Sequence, residues 1–123
     1  MRFRLLTALV GASLFTAAVY TISAESKAAT VKGYVIDSAC TLTKNLKKPI
    51  SPECAQACAK AGSPLVILAD NGSIYWPTTD AMPATSQNDK LLPFAGKRVV
   101  ASGKEYERGG SKALLIEKIE AEK

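Results

Sequence analysis

Histidine is absent from this chain of 123 residues. Without an imidazole, a serine or cysteine nucleophile has no histidine base beside it, so the common hydrolase arrangements are excluded. The sequence also has no glycine-rich phosphate loop, and no pair of carboxylates stands out as an acid–base couple. These absences favour a binding or accessory protein over an enzyme.

Cysteine is scarce as well, with only Cys40, Cys54 and Cys58. The last two form a C-x-x-x-C motif, which is neither the C-x-x-C of thioredoxin-like enzymes nor the C-x-x-C-H of haem attachment. Internal repeats and low-complexity tracts are also missing. With 47% hydrophobic and 22% charged residues, the composition is typical of one globular domain.

The first residues have the pattern of an export signal. Two arginines lie among the first four residues, and Leu5–Ile22 then runs 18 residues without a charge. Small residues follow, and cleavage after Ala24 or Ala28 would leave a small residue at the last position of the signal. We expect residues 1–24 to be a signal peptide, with an uncleaved N-terminal membrane anchor as the alternative.

Either reading predicts a domain outside the cytoplasm, where disulfides form. The protein is expected to be periplasmic or secreted, or else anchored by its uncleaved N-terminus and facing the periplasm. Removing the two N-terminal arginines from the 16 basic residues leaves 14 against 11 acidic ones, a net charge of +3. This mild excess, densest at Lys44, Lys47 and Lys48 in a predicted solvated loop, does not indicate a nucleic-acid partner.

Short strands joined by turns dominate the remaining chain. The pair Asn71–Gly72 predicts a hairpin in which both turn residues take positive φ, and Gly109–Gly110 predicts a second hairpin. The last segment is rich in helix formers, but we predict a strand because Val99–Ala101 needs a neighbour. The predicted strands are Thr30–Asp37, Leu65–Ala69, Ser73–Trp76, 97–106 and 111–119.

A short helix of about ten residues is predicted between the first two strands. Ser51 is a favoured N-cap, Pro52 suits the first helical position, and Gly62 suits the C-terminal end. Residues 41–50 before it read as a loop, and residues 88–96 as a short helix or turn. The sequence thus predicts a mainly β domain over residues 30–120: a five-stranded OB-like barrel with a cysteine-bearing helix inserted after strand 1.

The spacing of the cysteines allows two alternative disulfide pairings. Cys54 and Cys58 lie four residues apart on one helix face and are poorly placed to bond to each other. Cys40 is the flexible partner, and its bond to either one would stabilise the domain by about 3 kcal/mol. If it pairs with Cys58, then Cys54 in the first helical turn is a candidate reactive thiol. If it pairs with Cys54, then Cys58 is an inert buried residue.

A soft-metal site is the main alternative to the disulfide. Three thiolates from the cysteines can hold Cu(I) or Zn(II), or serve haem-related binding, with Asp37 as a fourth ligand or as an outer hydrogen-bond acceptor. Asp37 is also suited to capping the turn after strand 1, which we favour. A thiol redox protein with Cys54 as the attacking thiol is the third and weakest reading. We expect no cofactor, and otherwise copper or zinc.

Aromatic residues are few, at 7% of the chain. Candidates for an aromatic binding face are Tyr34, Tyr75, Trp76 and Phe94, with Tyr75 and Trp76 put first, and packing in the core or at the barrel rim is the favoured alternative. We therefore expect an exported, non-enzymatic binding or accessory module whose partner is an envelope protein or a membrane complex.

The motif order resembles that of a known group of proteins. Asp37 lies three residues before Cys40, and the C-x-x-x-C helix leads into a strand through Gly62-x-Pro64. This pattern resembles small exported bacterial proteins described as OB-fold-like, over about residues 30 to 120. The resemblance implies the fold and does not point to a particular activity. Many members carry histidine where this chain has Ser51, so a metal site using that histidine would lack one ligand here.

Overall fold

The architecture is a closed barrel of five strands, seen in a computed structural model that describes Ala18 and residues 25–123. The predicted signal or anchor therefore lies outside the described residues apart from Ala18. Among the residues described, no helix is both long and apolar enough to cross a membrane. The elements in chain order are β1 Ser26–Asp37, α1 Ser38–Thr43, α2 Pro52–Lys60, β2 Leu65–Ala69, β3 Ile74–Pro77, α3 Asn88–Leu91, a 3-10 turn Leu92–Phe94, β4 Arg98–Arg108 and β5 Ser111–Ala121.

The strand order around the barrel is β1-β2-β3-β5-β4, with β4 returning to β1. All neighbours are antiparallel except β3 and β5, which run parallel. A helical segment, α3 and the 3-10 turn, lies in the connection from β3 to β4. This connection has to pass β5, which lies between β3 and β4 in the barrel. The predicted mainly β class and the five-stranded OB-like barrel are confirmed.

Both predicted hairpins form, with one difference in the first turn. Of the pair Asn71–Gly72, only Gly72 takes a positive φ, of 86°. The amide of Ala69 donates to the carbonyl of Ser73, so the turn spans three residues rather than two. Gly109 and Gly110 both have positive φ, and β5 pairs with β4 along its whole length. Sheet pairing thus overrides the helix propensity of the last segment.

Inward-facing apolar side chains from every strand fill the barrel. β2 is apolar on both faces and is nearly all buried, as expected for a central strand. Leu91 from α3 closes the core at the crossover and is fully buried. The largest fully buried side chains are Ile36, Leu65, Ile67, Leu91, Leu114, Val35, Val66 and Val99.

Glycine at position 33 lets β2 approach β1 closely. A side chain there would overlap the backbone carbonyl of Leu68. β1 pairs with β4 over its first part and with β2 over its last part, and Gly33 belongs to both ladders. The glycine therefore lies where β1 is shared between its two neighbours.

The structure changes several predicted boundaries, and among them it ends β4 at Arg108 and β5 at Ala121. β1 begins at Ser26 rather than at Thr30, because the first residues pair with β4. Residues 41–43, predicted as part of a loop, instead end the short helix α1. β3 is shifted by one residue, to Ile74–Pro77. Residues 38–60 thus contain two short helices, each carrying cysteine.

Candidate functional site

The first part of the site is the beginning of α2. The hydroxyl of Ser51 accepts a hydrogen bond from the amide of Cys54, with 3.1 Å between Oγ and N. Pro52 is the first helical residue, so the predicted N-cap and helix start are both found. Ala55 and Ala59 form the buried face of the helix, while Cys54 is exposed and Cys58 half-buried at its flanks.

The second part is the end of β1, where Asp37 is 4% exposed. Its Oδ2 accepts from the Cys40 amide at 3.1 Å, which makes Asp37 the N-cap of α1. The same oxygen accepts from the hydroxyl of Ser63 at 3.3 Å, just after α2. The Thr41 hydroxyl donates to the Asp37 carbonyl at 2.9 Å. Asp37 therefore connects β1, α1 and the end of α2, and its capping role is the one favoured from sequence.

The Asp37 carboxylate also contributes to the raised pKa values of two of the thiols. A hydrogen bond with Asp37, together with burial and the negative charge of Asp37, raises the pKa of Cys40 to about 11. Burial raises the pKa of Cys58, and the charge of Asp37 and the neighbouring Cys54 thiol add to the increase. The barrel thus brings Cys40, Cys54 and Cys58 into one cluster around Asp37, which we call the thiol cluster.

At neutral pH the raised pKa values keep Cys40 and Cys58 as protonated thiols, whereas nucleophilic attack and metal ligation need the thiolate. All three cysteines are free in the structure. Across residues 25–123 and Ala18, no group of three or more cysteine, aspartate or glutamate side chains is arranged to hold a metal ion. The arrangement is one of neighbouring thiols beside a buried carboxylate.

Cys40 and Cys54 face a common cleft, which is small, with a volume of about 10 Å³. Cys58 does not contribute to its lining. Apolar residues close the cleft, among them Ile50, which is 73% exposed. Its full lining is Ile36, Asp37, Cys40, Leu46, Pro49, Ile50, Cys54 and Ala55. The two helices thus present one thiol each to the same small space.

A larger open groove of about 440 Å³ lies beside the thiol cluster. One wall is the β2–β3 hairpin, the floor includes β1, and the other wall is the connection between α1 and α2. Leu46 of that connection lines both the groove and the cysteine cleft. The groove is lined by Tyr34, Thr41, Asn45, Leu46, Lys47, Leu68, Ala69, Asp70, Asn71, Gly72 and Ile74.

Arg98 organises the barrel side of the groove. Its guanidinium contacts both oxygens of Asp70 at 2.7 and 2.8 Å and donates to Glu122 at 2.7 Å. It also lies 5.1 Å from the centre of the Tyr34 ring. The hydrogen bonds from Arg98 lower the pKa of Asp70. This wall is held by paired charges, whereas the opposite wall is an irregular connection.

Tyr75 and Trp76, proposed from sequence as a binding surface, point in opposite directions because they are adjacent in a strand. Tyr75 is 7% exposed and packs in the core, with Lys112 Nζ 5.8 Å from its ring centre. This is the core position that was favoured for it from the sequence. Trp76 is 37% exposed and lies outside the groove lining.

Sequence reasoning found the thiol cluster and missed the groove. Tyr34, Arg98 and Asp70 come from β1, β4 and the β2–β3 turn, and no motif links them. Comparison with known proteins adds no further assignment: no family model, no curated protein and no solved structure matches the chain.

Proposed function

We propose that this chain is an exported, non-enzymatic binding or accessory module whose groove beside the thiol cluster receives a segment of an envelope protein or membrane complex. The groove carries the proposal, since it is an open concavity with one wall fixed by Arg98 and the other formed by an irregular connection. Ligand sites on proteins are typically concave, with apolar surface and a few placed polar groups.

The groove lining favours an extended polypeptide. Leu68 and Ile74 offer apolar surface, while Asn45, Lys47 and Asn71 offer polar groups around it. The charge of Asp70 is compensated by Arg98, so the wall does not demand a cation. A peptide with one apolar anchor and free backbone amides complements this pattern.

The disulfide predicted from Cys40 is part of the proposal. It would join α1 to α2 and thereby hold the connection that forms one wall of the groove. The chain is further proposed to belong with the small exported bacterial OB-fold-like proteins that its cysteine pattern resembles. The closed five-stranded barrel supports that assignment.

Selection of short peptides from a phage-displayed random library tests the binding role, with the selected peptide then made synthetically. Leu46→Ser should weaken its binding about tenfold, through loss of apolar contact. Leu42→Ser is the matched control, because Leu42 is 58% exposed on α1 and does not line the groove. Equal binding by both variants, or no enriched peptide, would contradict the proposal.

A second pair separates charge from shape. Lys47 lines the groove and its neighbour Lys48 does not, and both are exposed. Lys47→Glu and Lys48→Glu change the net charge equally. We expect only the first to alter the affinity of an acidic selected peptide. An equal effect would indicate general electrostatic attraction rather than binding in the groove.

Soft-metal binding is the second candidate function, and it requires the thiol cluster to rearrange, because no three cysteine or acidic side chains among the described residues are arranged to hold an ion. Cys40, Cys54 and Cys58 would be the ligands of Cu(I) or Zn(II), and would have to lose protons on binding. Titration of the reduced protein with Cu(I) against a chromogenic chelator tests it. One tightly held ion per chain, lost in Cys40→Ser, would support this candidate over the disulfide.

A further inference from the structure

The three cysteines of the thiol cluster differ in their exposure and in the helix that carries them. Cys54 is exposed, whereas Cys40 and Cys58 are half-buried. Cys40 and Cys54 line one cleft from two different helices, while Cys58 shares a helix with Cys54 and does not line that cleft. One cysteine is thus open to an external reagent and one other faces it across a small space.

Exposure decides which sulfur an external disulfide meets first. Exchange requires the attacking sulfur, the sulfur attacked and the leaving sulfur to approach in line, which a half-buried thiol restricts. Exposure therefore makes Cys54 the cysteine that reacts with a disulfide from solution.

The resolving thiol is decided by geometry. A bond between Cys54 and Cys58 would have to distort the helix, because residues four apart on a helix do not meet disulfide geometry. Cys40 comes from α1 and reaches the cleft from the other side. The α1–α2 connection between them forms neither helix nor strand.

We infer that Cys54 and Cys40 form a reversible dithiol–disulfide couple, in which Cys54 takes up an external disulfide and Cys40 displaces it, with Cys58 remaining a thiol. The inference deepens the tether in the proposed function, from which it takes the idea that Cys40 bonds to α2. It is independent of the groove, so a failure of peptide binding would leave it standing.

The exchange reaction proceeds in two steps. The Cys54 thiolate attacks one sulfur of the external disulfide, forms a mixed disulfide and releases the other half as a thiolate. Cys40 then gives up its proton to solvent and attacks Cys54 Sγ, which forms the Cys40–Cys54 bond and releases the second half as a thiolate. The two cysteines are oxidised by two electrons, and the external disulfide is reduced to two thiols.

The second step should depend on pH. The groups that act on Cys40 are Asp37, Cys58 and Cys54, and each disfavours its thiolate. Because the pKa of Cys40 is about 11, its thiolate fraction rises about tenfold for each pH unit between 7 and 9. The mixed disulfide at Cys54 should therefore persist at neutral pH and resolve faster in alkali.

Reaction of the fully reduced chain with glutathione disulfide, quenched by acid and mapped by mass spectrometry, tests the couple. We expect a glutathione adduct on Cys54, followed by its loss and a Cys40–Cys54 bond. In Cys40→Ser the glutathione adduct on Cys54 should persist. In Cys54→Ser the rate of adduct formation should fall at least tenfold. Cys58→Ser should form and lose the adduct at the rates of the parent protein. A parallel reaction uses a peptide with an internal disulfide in place of glutathione disulfide. The faster of the two reactions indicates which kind of external disulfide the couple takes up.

Three results would overturn the inference. They are a mapped Cys40–Cys58 bond, an unchanged rate in Cys54→Ser, or a closing step lost in Cys58→Ser. Thermal unfolding of each serine variant shows that it is folded, and the corresponding alanine variant replaces any that is not. If the couple forms but the selected peptide does not bind, the proposed function fails and the couple stands.

Discussion

Asp37→Asn separates the two roles of the carboxylate at the end of β1. Asparagine is as good an N-cap as aspartate, and its side-chain oxygen can still accept from the Cys40 amide. It carries no charge, so the main causes of the raised pKa of Cys40 are removed while burial remains. We therefore expect altered thiol chemistry in a protein whose stability changes by less than about 1 kcal/mol.

The size of the effect follows from the thiolate fraction. At pH 8 about one Cys40 in a thousand is ionised when its pKa is about 11, and about one in ten when it is at the ordinary 9.0. Since burial persists in the variant, we expect part of this range, about a tenfold rise in the alkylation rate of Cys40. The pKa of Cys58 should fall as well, because the charge of Asp37 contributes to it.

The assay is alkylation of the reduced protein by iodoacetamide across pH 7 to 10, with each cysteine followed by peptide mass spectrometry. Asp80→Asn is the matched control, since Asp80 is an exposed loop residue and the change in charge is the same. Equal Cys40 rates in the two variants, in folded protein, would refute the role assigned to Asp37. Asp37→Ala should in addition lose about 1 kcal/mol from the missing cap.

Three further predictions concern the barrel and its pH dependence. Gly33→Ala should destabilise the fold by about 2 to 3 kcal/mol in urea unfolding, because the added methyl group overlaps the β2 backbone. Leu114→Ala should cost about 2 to 5 kcal/mol, since Leu114 is fully buried, whereas Leu42→Ala at a 58% exposed site should change little. The raised pKa of Cys40 stabilises the reduced fold fully below pH 9.0, and this contribution should be lost as the pH rises towards about 11. Cys40→Ser should show a smaller decline over that interval, and parallel pH curves for the two proteins would contradict the assignment.

Local signals in the sequence explain why much of the barrel was predictable. Ser51 and Pro52 mark the start of α2 by capping chemistry that needs no tertiary context. Gly109 and Gly110 fix the last hairpin, because both positions need the positive φ that glycine adopts readily. These turns, with the apolar run of β2, were enough to order the strands.

The parts that sequence reasoning missed depend on contacts between distant residues. α1 has one side-chain cap, Asp37, whose carboxylate also accepts a hydrogen bond from Ser63, a residue that follows α2. The polar residues after Cys40 show no helical periodicity, so the sequence did not predict this helix. The groove exists because barrel closure brings Arg98 to Tyr34 and Asp70. Strand alternation buries Tyr75 and exposes Trp76, and the apolar run around these two aromatics does not show in the sequence which of them faces the core.

The most direct test of the account is mass analysis of the protein isolated from its native compartment, before and after alkylation under denaturing conditions. The account predicts a chain that has lost its N-terminal signal, contains one disulfide between Cys40 and Cys54, and offers Cys58 as the single alkylated thiol. Three alkylated thiols together with a copurified copper or zinc ion would contradict it and would establish the thiol cluster as a metal site instead.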